Sequence, residues 1–316
     1  MKRKILFILL QVVLCLFLLN CSKQSNEATA PTEKSEKVKD TLNYGISVSP
    51  EGKFNPLVSN TQYDGYVNTL VYDSLLKLNS KIELEPSMAE KYEITDEGKK
   101  LVFKLKSGIK FHDGNPVTSK DVKFTLESLA NPKYEGDLAS YVQSITGFKE
   151  FHEGKADSVS GLEKIDDYSV KIHFKEMRPS MKLAGGALSA YIMPKHIFSI
   201  IPVAEWDKSE YVRGTKFVGL GAFKLESIIP GESVTLVPNE HYYKGRAKLD
   251  KVVMEIVSPD NIVSEMKAGK YDIAEMPNAQ YESYKDLTNV NLVSTFKSSF
   301  EYVAFHLGKF DKASGK

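Results

Sequence analysis

The sequence alternates two hydrophobic patterns, and this alternation restricts the fold more than any other feature. Residues 42–48 are apolar at every second position, which is typical of a strand with one buried face, and a proline follows. Helical spacing then runs from about residue 63 to 76, behind a capping pattern formed by Thr61 and Asp64. Further strand and helix patterns occupy residues 223–225, 234–237, 252–257, 261–267, 271–274 and 302–305. We therefore expect an α/β fold with a mixed sheet covered on both faces.

The middle of the chain predicts a second, β-rich region. Residues 77–111 and 168–174 are typical of antiparallel strands, and a helix is expected after Thr118, which stands three residues before Asp121. His112 and Asp113 lie in the turn before that helix, with no nucleophile within sequence reach. We interpret them as scaffold residues.

The N-terminus predicts export. Three basic residues precede an apolar run at positions 5–19, which is shorter than the ~20 residues that a membrane-spanning helix needs. The run ends in Leu-Leu-Asn-Cys, which resembles the lipobox of bacterial lipoproteins and makes Cys21 the predicted lipidation site. An ordinary secretory signal with an incidental cysteine is the alternative. Residues 22–40 contain no aromatic residue and predict a disordered tether.

Charge and cysteine content narrow the functions further. Without the three basic residues at positions 2–4, the chain has 39 of its 42 Lys and Arg residues and all 41 acidic residues, so its net charge is close to zero. A nucleic-acid partner is therefore not expected. Cys15 lies in the predicted signal, so an exported chain keeps Cys21 alone and has no intrachain disulfide. Core burial must therefore hold the fold.

Catalytic motifs are missing from the sequence. It contains no Gly-x-Ser-x-Gly, no His-Glu-x-x-His and no Walker A motif, and its six histidines are scattered. No catalytic residue, cofactor or metal ligand is predicted, although a metal site built from distant residues stays open. The 16 tyrosines and 16 phenylalanines instead suit a ligand surface, because a tyrosine combines apolar area with a hydrogen-bonding tip.

The order of several segments resembles one protein family. The stretches "EPSMAEKYEI", "FKLKSGIKFHDGNPVTSKDVKF", "YIMPKHIF" and "MKAGKYDIA" are similar to the large extracytoplasmic solute-binding proteins of peptide and nickel ABC importers, the oligopeptide-binding lipoproteins of family 5. "GLGAF" at residues 219–223 departs from the commoner Gly-Thr-Gly-Pro-Tyr form of its motif. The resemblance covers residues 41–307.

This resemblance implies a type II periplasmic-binding-protein fold, a clamshell of two lobes. Residues 41–78 and 205–316 would form the incomplete mixed-sheet domain of the first lobe, and residues 79–204 an inserted β-rich subdomain. Residues 1–21 would be the signal and lipobox. Family members continue into a second lobe that this sequence does not contain, so we expect weak binding by this chain alone.

The resemblance also implies the function. The protein would be a lipid-anchored receptor outside the cytoplasmic membrane that captures peptides and delivers them to membrane permease subunits, and it would not be an enzyme. Dipeptides, metal chelates and sugars remain alternative solutes. By position, the ligand-binding residues would be Asn60, Thr61, Gln62, Tyr63, Tyr141, Glu275 and Asn278. The alternative functions are a surface adhesin that reuses this fold and, third, a cell-surface hydrolase.

Overall fold

The computed structural model describes residues 40–59, 61–97, 99–176, 186–214 and 216–294. Its strands are β1 (Thr41–Ile46), β2 (Leu76–Leu78), β3 (Leu84–Pro86), β4 (Ala89–Thr95), β5 (Lys100–Leu105), β6 (Leu162–Lys164), β7 (Ser169–His173), β8 (Phe223–Ile229), β9 (Ser233–Pro238), β10 (Lys251–Ile256) and β11 (Ile273–Ala274). Its α-helices are α1 (Gln62–Val71), α2 (Ser119–Ala130), α3 (Phe148–His152), α4 (Lys195–Phe198), α5 (Pro259–Lys267) and α6 (Tyr281–Tyr284). Short 3-10 helices occupy Asp137–Tyr141, Gly186–Leu188, Val203–Lys208 and Asn278–Gln280.

A five-stranded mixed sheet carries the order β11-β1-β10-β9-β8. β1 is parallel to both β10 and β11, whereas β9 is antiparallel to β10 and β8. Neighbouring strand residues point to opposite faces. Tyr44 contacts α1 through Tyr66, and Gly45 lies against Tyr271, which packs with α5 residues in a second hydrophobic cluster. The sheet is therefore mixed and covered on both faces, as predicted.

The middle of the chain forms an antiparallel four-stranded sheet, ordered β4-β5-β7-β6, next to the hairpin β2–β3. This confirms the predicted β-rich region. One continuous hydrophobic core joins both sheets and includes Val71, Phe103, Leu126 and Trp206. The division into residues 41–78 with 205–316 and residues 79–204 stays a prediction.

Both predicted capping patterns are present. Asp64 N donates to Thr61 Oγ1 at 3.1 Å and starts α1. Thr118 N donates to Asp121 Oδ2 at 2.8 Å in a complete capping box at the start of α2. These bonds satisfy backbone donors that have no partner within the helix.

Two predicted boundaries were wrong. Val48 lies beyond the end of β1 and is 51% exposed, so it does not share the buried face. α1 ends at Val71 and not near residue 76, because Tyr72 takes an extended conformation and the next residues enter β2. The Val71 carbonyl at the helix end accepts bonds from Leu220 N at 3.0 Å and Gly221 N at 2.7 Å. The "GLG" segment thus satisfies a carbonyl that the helix leaves unpaired.

His112 holds the same segment. Its backbone N donates to Gly219 O at 2.8 Å, and Gly219 N donates to the ring Nδ1 at 3.3 Å. Because Nδ1 accepts, Nε2 carries the proton and donates to Gly221 O at 3.1 Å. Burial lowers the pKa of His112 to about 4, against the opposing hydrogen bond to Gly221. His112 is therefore a neutral structural residue, as interpreted from the sequence.

Acid is expected to weaken the fold through His112. Between pH 6.5 and about 4 the unfolded chain binds a proton at this histidine that the folded chain refuses. The free energy of unfolding should therefore rise with pH across this window, by up to about 3 kcal/mol from this group. Chemical denaturation at pH 7 and pH 5 measures the slope, and His112→Gln should reduce it. An unchanged slope in His112→Gln would contradict this account.

Several predictions fall on residues outside the described ranges: the signal and lipobox at 1–21 with Cys21, the tether up to residue 39, the binding residue Asn60 and the strand at 302–305. Within the described ranges, none of the helices combines the length and apolar character needed to span a bilayer.

Candidate functional site

The candidate site lies where β1 and β11 end. These neighbouring strands are parallel, with Tyr44 opposite Ile273 and Gly45 opposite Ala274, so their carboxyl ends share one edge of the sheet. Glu275 follows β11 directly, and Gln62, the first residue of α1, donates to it from Nε2 to Oε1 at 3.4 Å. In open α/β sheets, ligands bind at the carboxyl ends of the strands. A ligand site is therefore expected at this edge of the sheet.

Five side chains meet there: Tyr44, Gln62, Tyr63, Tyr66 and Glu275, here called the tyrosine–glutamate cluster. The ring centroids of Tyr44 and Tyr66 lie 5.8 Å apart, and those of Tyr63 and Tyr66 lie 5.6 Å apart with edge-to-face geometry. The three rings are partly exposed and Gln62 is exposed. The cluster thus offers apolar ring surface together with polar tips.

Glu275 connects the cluster through hydrogen bonds. The Tyr66 hydroxyl donates to Glu275 Oε1, and Gln62 Nε2 donates both to the Tyr66 hydroxyl and, at 3.4 Å, to the same carboxylate oxygen. Burial, and then the Glu275 charge, raise the pKa of Tyr44, while burial and the hydrogen bond to Glu275 raise the pKa of Tyr66. Both phenols therefore keep their protons at neutral pH and remain hydrogen-bond donors.

Three of the predicted binding residues, at positions 61–63, have different roles. Gln62 and Tyr63 belong to the cluster, and the Tyr63 hydroxyl also lies 3.0 Å from Ser47 Oγ. Thr61 instead caps α1, and its hydroxyl donates to Asp64 Oδ2 at 2.8 Å. In this structure the Thr61 side chain holds the start of the helix.

Asp64 supports that helix start from inside. It is fully buried, and its Oδ1 accepts from Gly52 N at 3.0 Å, which ties the loop after β1 to the helix. Burial raises the pKa of Asp64, although hydrogen bonds from Thr61 and Gly52 act in the opposite direction. Asp64 therefore positions Gln62 and Tyr63.

Tyr141 and Asn278 lie apart from the cluster. Tyr141 ends the 3-10 helix Asp137–Tyr141, near Tyr134, whose hydroxyl donates to Leu57 O. Asn278 is exposed at the start of the helical turn after Glu275. Within the described ranges, neither makes a hydrogen bond or ring contact with the tyrosine–glutamate cluster. Their role in binding stays a prediction.

Tyr44 and Tyr66 were missed by the sequence reasoning. Tyr44 belongs to the predicted strand pattern and Tyr66 to the predicted helix pattern, and neither pattern assigns a residue to a ligand site. The helix pattern could have indicated Tyr66 as a site residue. Residues three and four positions apart lie on one helix face, so Tyr66 lies beside Tyr63 and Gln62. The contact of Tyr44 with Tyr66 had no local signal.

A cavity of about 320 Å³ lies elsewhere, between α2 and the segment after α4. It is lined by Phe124, Glu127, Ser128, Asn131, Phe151, Phe198, Ser199, Ile201, Pro202, Val203 and Trp206. The tyrosine–glutamate cluster, in contrast, occupies the strand-end position. An open surface without an opposing wall does not enclose a cavity, so cavity volume is a poor guide to this site.

The family described as bacterial extracellular solute-binding proteins, family 5 Middle, matches residues 83–314 of the chain. The chain belongs to this family. Oligopeptide-binding protein AppA of Bacillus subtilis (strain 168) is 28% identical over 311 residues, which make up 96% of this chain and 54% of AppA. The chain thus spans about half the length of this family-5 relative.

Solved structures of family relatives share the fold. The AppA structure from Bacillus subtilis in complex with a nonapeptide has a TM-score of 0.68 at 27% identity and covers 79% of this chain and 46% of that chain. Lactococcal OppA complexed with an endogenous peptide in the closed conformation has a TM-score of 0.70 at 29% identity, covering 78% of this chain and 48% of that chain. The predicted type II periplasmic-binding-protein fold is confirmed.

Proposed function

We propose that this chain supplies the first-lobe surface of a peptide-binding site in the solute-binding component of an ABC importer. The observation that carries the proposal is the tyrosine–glutamate cluster at the shared carboxyl edge of β1 and β11. Two relatives of the same fold are described as bound to peptides. The chain itself covers about half of each relative, so we expect it to bind weakly alone.

The cluster suits an extended peptide for physical reasons. Tyrosine rings offer apolar area to varied side chains, and the hydroxyls of Tyr44 and Tyr63 can donate to backbone carbonyls without selecting a particular residue. The Tyr66 hydroxyl and the Gln62 amide are held by Glu275, so little side-chain entropy remains to be lost on binding. Such a surface binds and orients a solute and breaks no bond.

The proposed cycle is a population shift. A peptide that contacts both lobes favours the closed state, and the permease then recognises that state. The predicted signal and Cys21 would place the receptor outside the cytoplasmic membrane on a lipid anchor. Replacing Cys21 with serine and locating the protein in membrane and soluble fractions tests the anchor.

Peptide titration tests the binding surface. Adding an alanine-based oligopeptide at millimolar concentration should perturb the NMR resonances of Tyr44, Tyr63 and Tyr66 in a saturable way. Tyr63→Ala should weaken binding about tenfold, since one buried aromatic contact in an interface contributes more than about 1 kcal/mol. Tyr168→Ala is the matched control, because Tyr168 is 43% exposed in the other sheet region.

Three results would contradict the proposal: no perturbation, perturbation confined to the cavity beside Trp206, or equal losses in both tyrosine variants. Micromolar or tighter binding would contradict the expectation that the isolated chain is a weak binder.

A further inference from the structure

The carboxylate of Glu275 lacks a cationic partner in the described ranges. Its Oε1 accepts from Tyr66 and Gln62, and no bond within those ranges uses Oε2. Two other glutamates near this sheet are paired: Glu255 and Glu265 each lie 3.0 Å from Lys270 Nζ. Glu275 is also partly buried, so its charge is less screened by water than that of an exposed residue.

The rings beside Glu275 add to the same negative potential. The faces of aromatic rings carry negative charge density and attract a cation within about 6 Å of the centroid. Tyr44, Tyr63 and Tyr66 lie with successive centroid separations of 5.8 Å and 5.6 Å, so one small group can approach more than one ring. The field of Glu275 at these rings is also visible in the raised pKa of Tyr44, for which it is the largest cause after burial.

We propose that the tyrosine–glutamate cluster binds a positively charged group of the ligand, an ammonium or guanidinium, with Glu275 as its counter-ion. The inference rests on the proposed peptide-binding function and names the class of peptide that the site prefers. The cation comes from a lysine or arginine side chain or from the α-ammonium of the peptide. In either case it contacts Glu275 Oε2 and the tyrosine faces, while Tyr66 and Gln62 hold Oε1.

The experiment compares alanine-based oligopeptides that differ at one position, which carries lysine, arginine or the neutral side chain of norleucine. Each is titrated into the chain and followed by the NMR resonances of the three tyrosines. If a side chain supplies the cation, the lysine and arginine peptides should bind about tenfold more tightly than the norleucine peptide. Added salt should reduce the difference. The same peptides with acetylated N-termini distinguish the two sources of the cation. If a side chain supplies it, the tenfold preference persists after acetylation. If the α-ammonium supplies it, the three unacetylated peptides bind alike and acetylation weakens each of them about tenfold.

Two variants locate the preference. Glu275→Gln keeps the size and the hydrogen-bonding oxygen but removes the charge, so it should abolish the tenfold difference for either source of the cation, while the acetylated norleucine peptide binds as before. Glu232→Gln is the matched control, because Glu232 is exposed in the β8–β9 turn of the same sheet. It should leave the difference intact.

Each of the remaining experimental outcomes would contradict one specific claim: the cation site, the role of Glu275 or the proposed function. Equal affinities for the lysine, arginine and norleucine peptides that N-terminal acetylation does not change overturn the cation site and leave the proposed function standing. A preference that survives in Glu275→Gln overturns the role of Glu275. Failure of every peptide to perturb the tyrosines overturns the proposed function and this inference together.

Discussion

Replacing Asp73 with alanine is expected to lower the free energy of unfolding by about 2–3 kcal/mol, because a buried carboxylate that accepts five hydrogen bonds is removed. Asp73 is 7% exposed and lies between α1 and β2. Its Oδ2 accepts from Tyr242 at 3.0 Å, Tyr243 at 2.6 Å and Lys244 Nζ at 3.1 Å. Its Oδ1 accepts from Ser87 and from Ser74 N at 2.9 Å. One carboxylate therefore joins the hairpin region to the segment between β9 and β10.

The loss of stability in Asp73→Ala comes from the hydrogen-bond donors that no longer have an acceptor. Without Asp73, the partly buried phenols of Tyr242 and Tyr243 and the Lys244 ammonium, whose side chain is 28% exposed, lose their shared acceptor. The polar atoms that water cannot reach are then left without a partner. Lys244 also lies 5.1 Å from the Tyr243 ring centroid, and this contact depends on the same arrangement. Urea denaturation at neutral pH measures the change.

Asp250→Ala is the matched control for Asp73→Ala. Asp250 also pairs with a basic residue, Arg246, but its side chain is 57% exposed, so the expected loss is below about 1 kcal/mol. Equal losses in the two variants would contradict the role assigned to burial.

Acid provides a second test of Asp73. Burial opposes its charge, but hydrogen bonds from Ser87 and Tyr243 and the charge of Lys244 outweigh burial and lower the pKa of Asp73 below 3.8. The contribution of the Asp73 carboxylate to the free energy of unfolding is therefore present above pH 3.8. It is lost as the pH falls through the pKa that Asp73 has in the folded protein. This window lies below the one expected for His112, so the two effects separate on a pH titration of stability.

Gly219→Ala is expected to lower the free energy of unfolding by more than about 3 kcal/mol, beyond ordinary overpacking. A Cβ on Gly219 would lie 2.1 Å from the Val71 carbonyl oxygen and 2.7 Å from Val71 Cγ1. The carbonyl is backbone at the end of α1 and already accepts from Leu220 N and Gly221 N. Relief would therefore require moving the helix end or breaking those bonds. Thermal and urea denaturation measure the loss.

Gly65→Ala is the matched control, because it makes the same chemical change inside α1. A Cβ there has no atom within 4 Å, so alanine should raise stability by about 0.5–1 kcal/mol through its better helix propensity. If Gly219→Ala cost less than about 1 kcal/mol, the close approach of the "GLG" segment to the helix would be unimportant for stability.

The sequence predicted those features that depend on neighbouring residues. Thr61 with Asp64 and Thr118 with Asp121 were assigned as helix starts because a capping bond spans only three residues. The strand patterns were readable for the same reason, since alternation marks a buried face within a single segment. The end of α1 was misplaced because the donors to the Val71 carbonyl come from residues 220 and 221, which no local pattern connects to it.

The candidate site shows the same limit. Gln62, Tyr63 and Glu275 were named from a family resemblance, but nothing local predicted that Glu275 would accept from Tyr66, more than 200 positions earlier in the chain. Tyr141 was named in the same way, yet it lies with Tyr134 and outside the cluster.

The sequence by itself determined the α/β class, the mixed sheet, the helix starts and the scaffold role of His112. Each of these features depends on the spacing of apolar residues or on turn-forming residues within a few positions. Only the tertiary structure decided that three tyrosines, a glutamine and a glutamate form one surface. The physical reason is the parallel pairing of β1 with β11, which brings two strand ends to one edge although Ile46 and Ala274 are 228 positions apart in the chain.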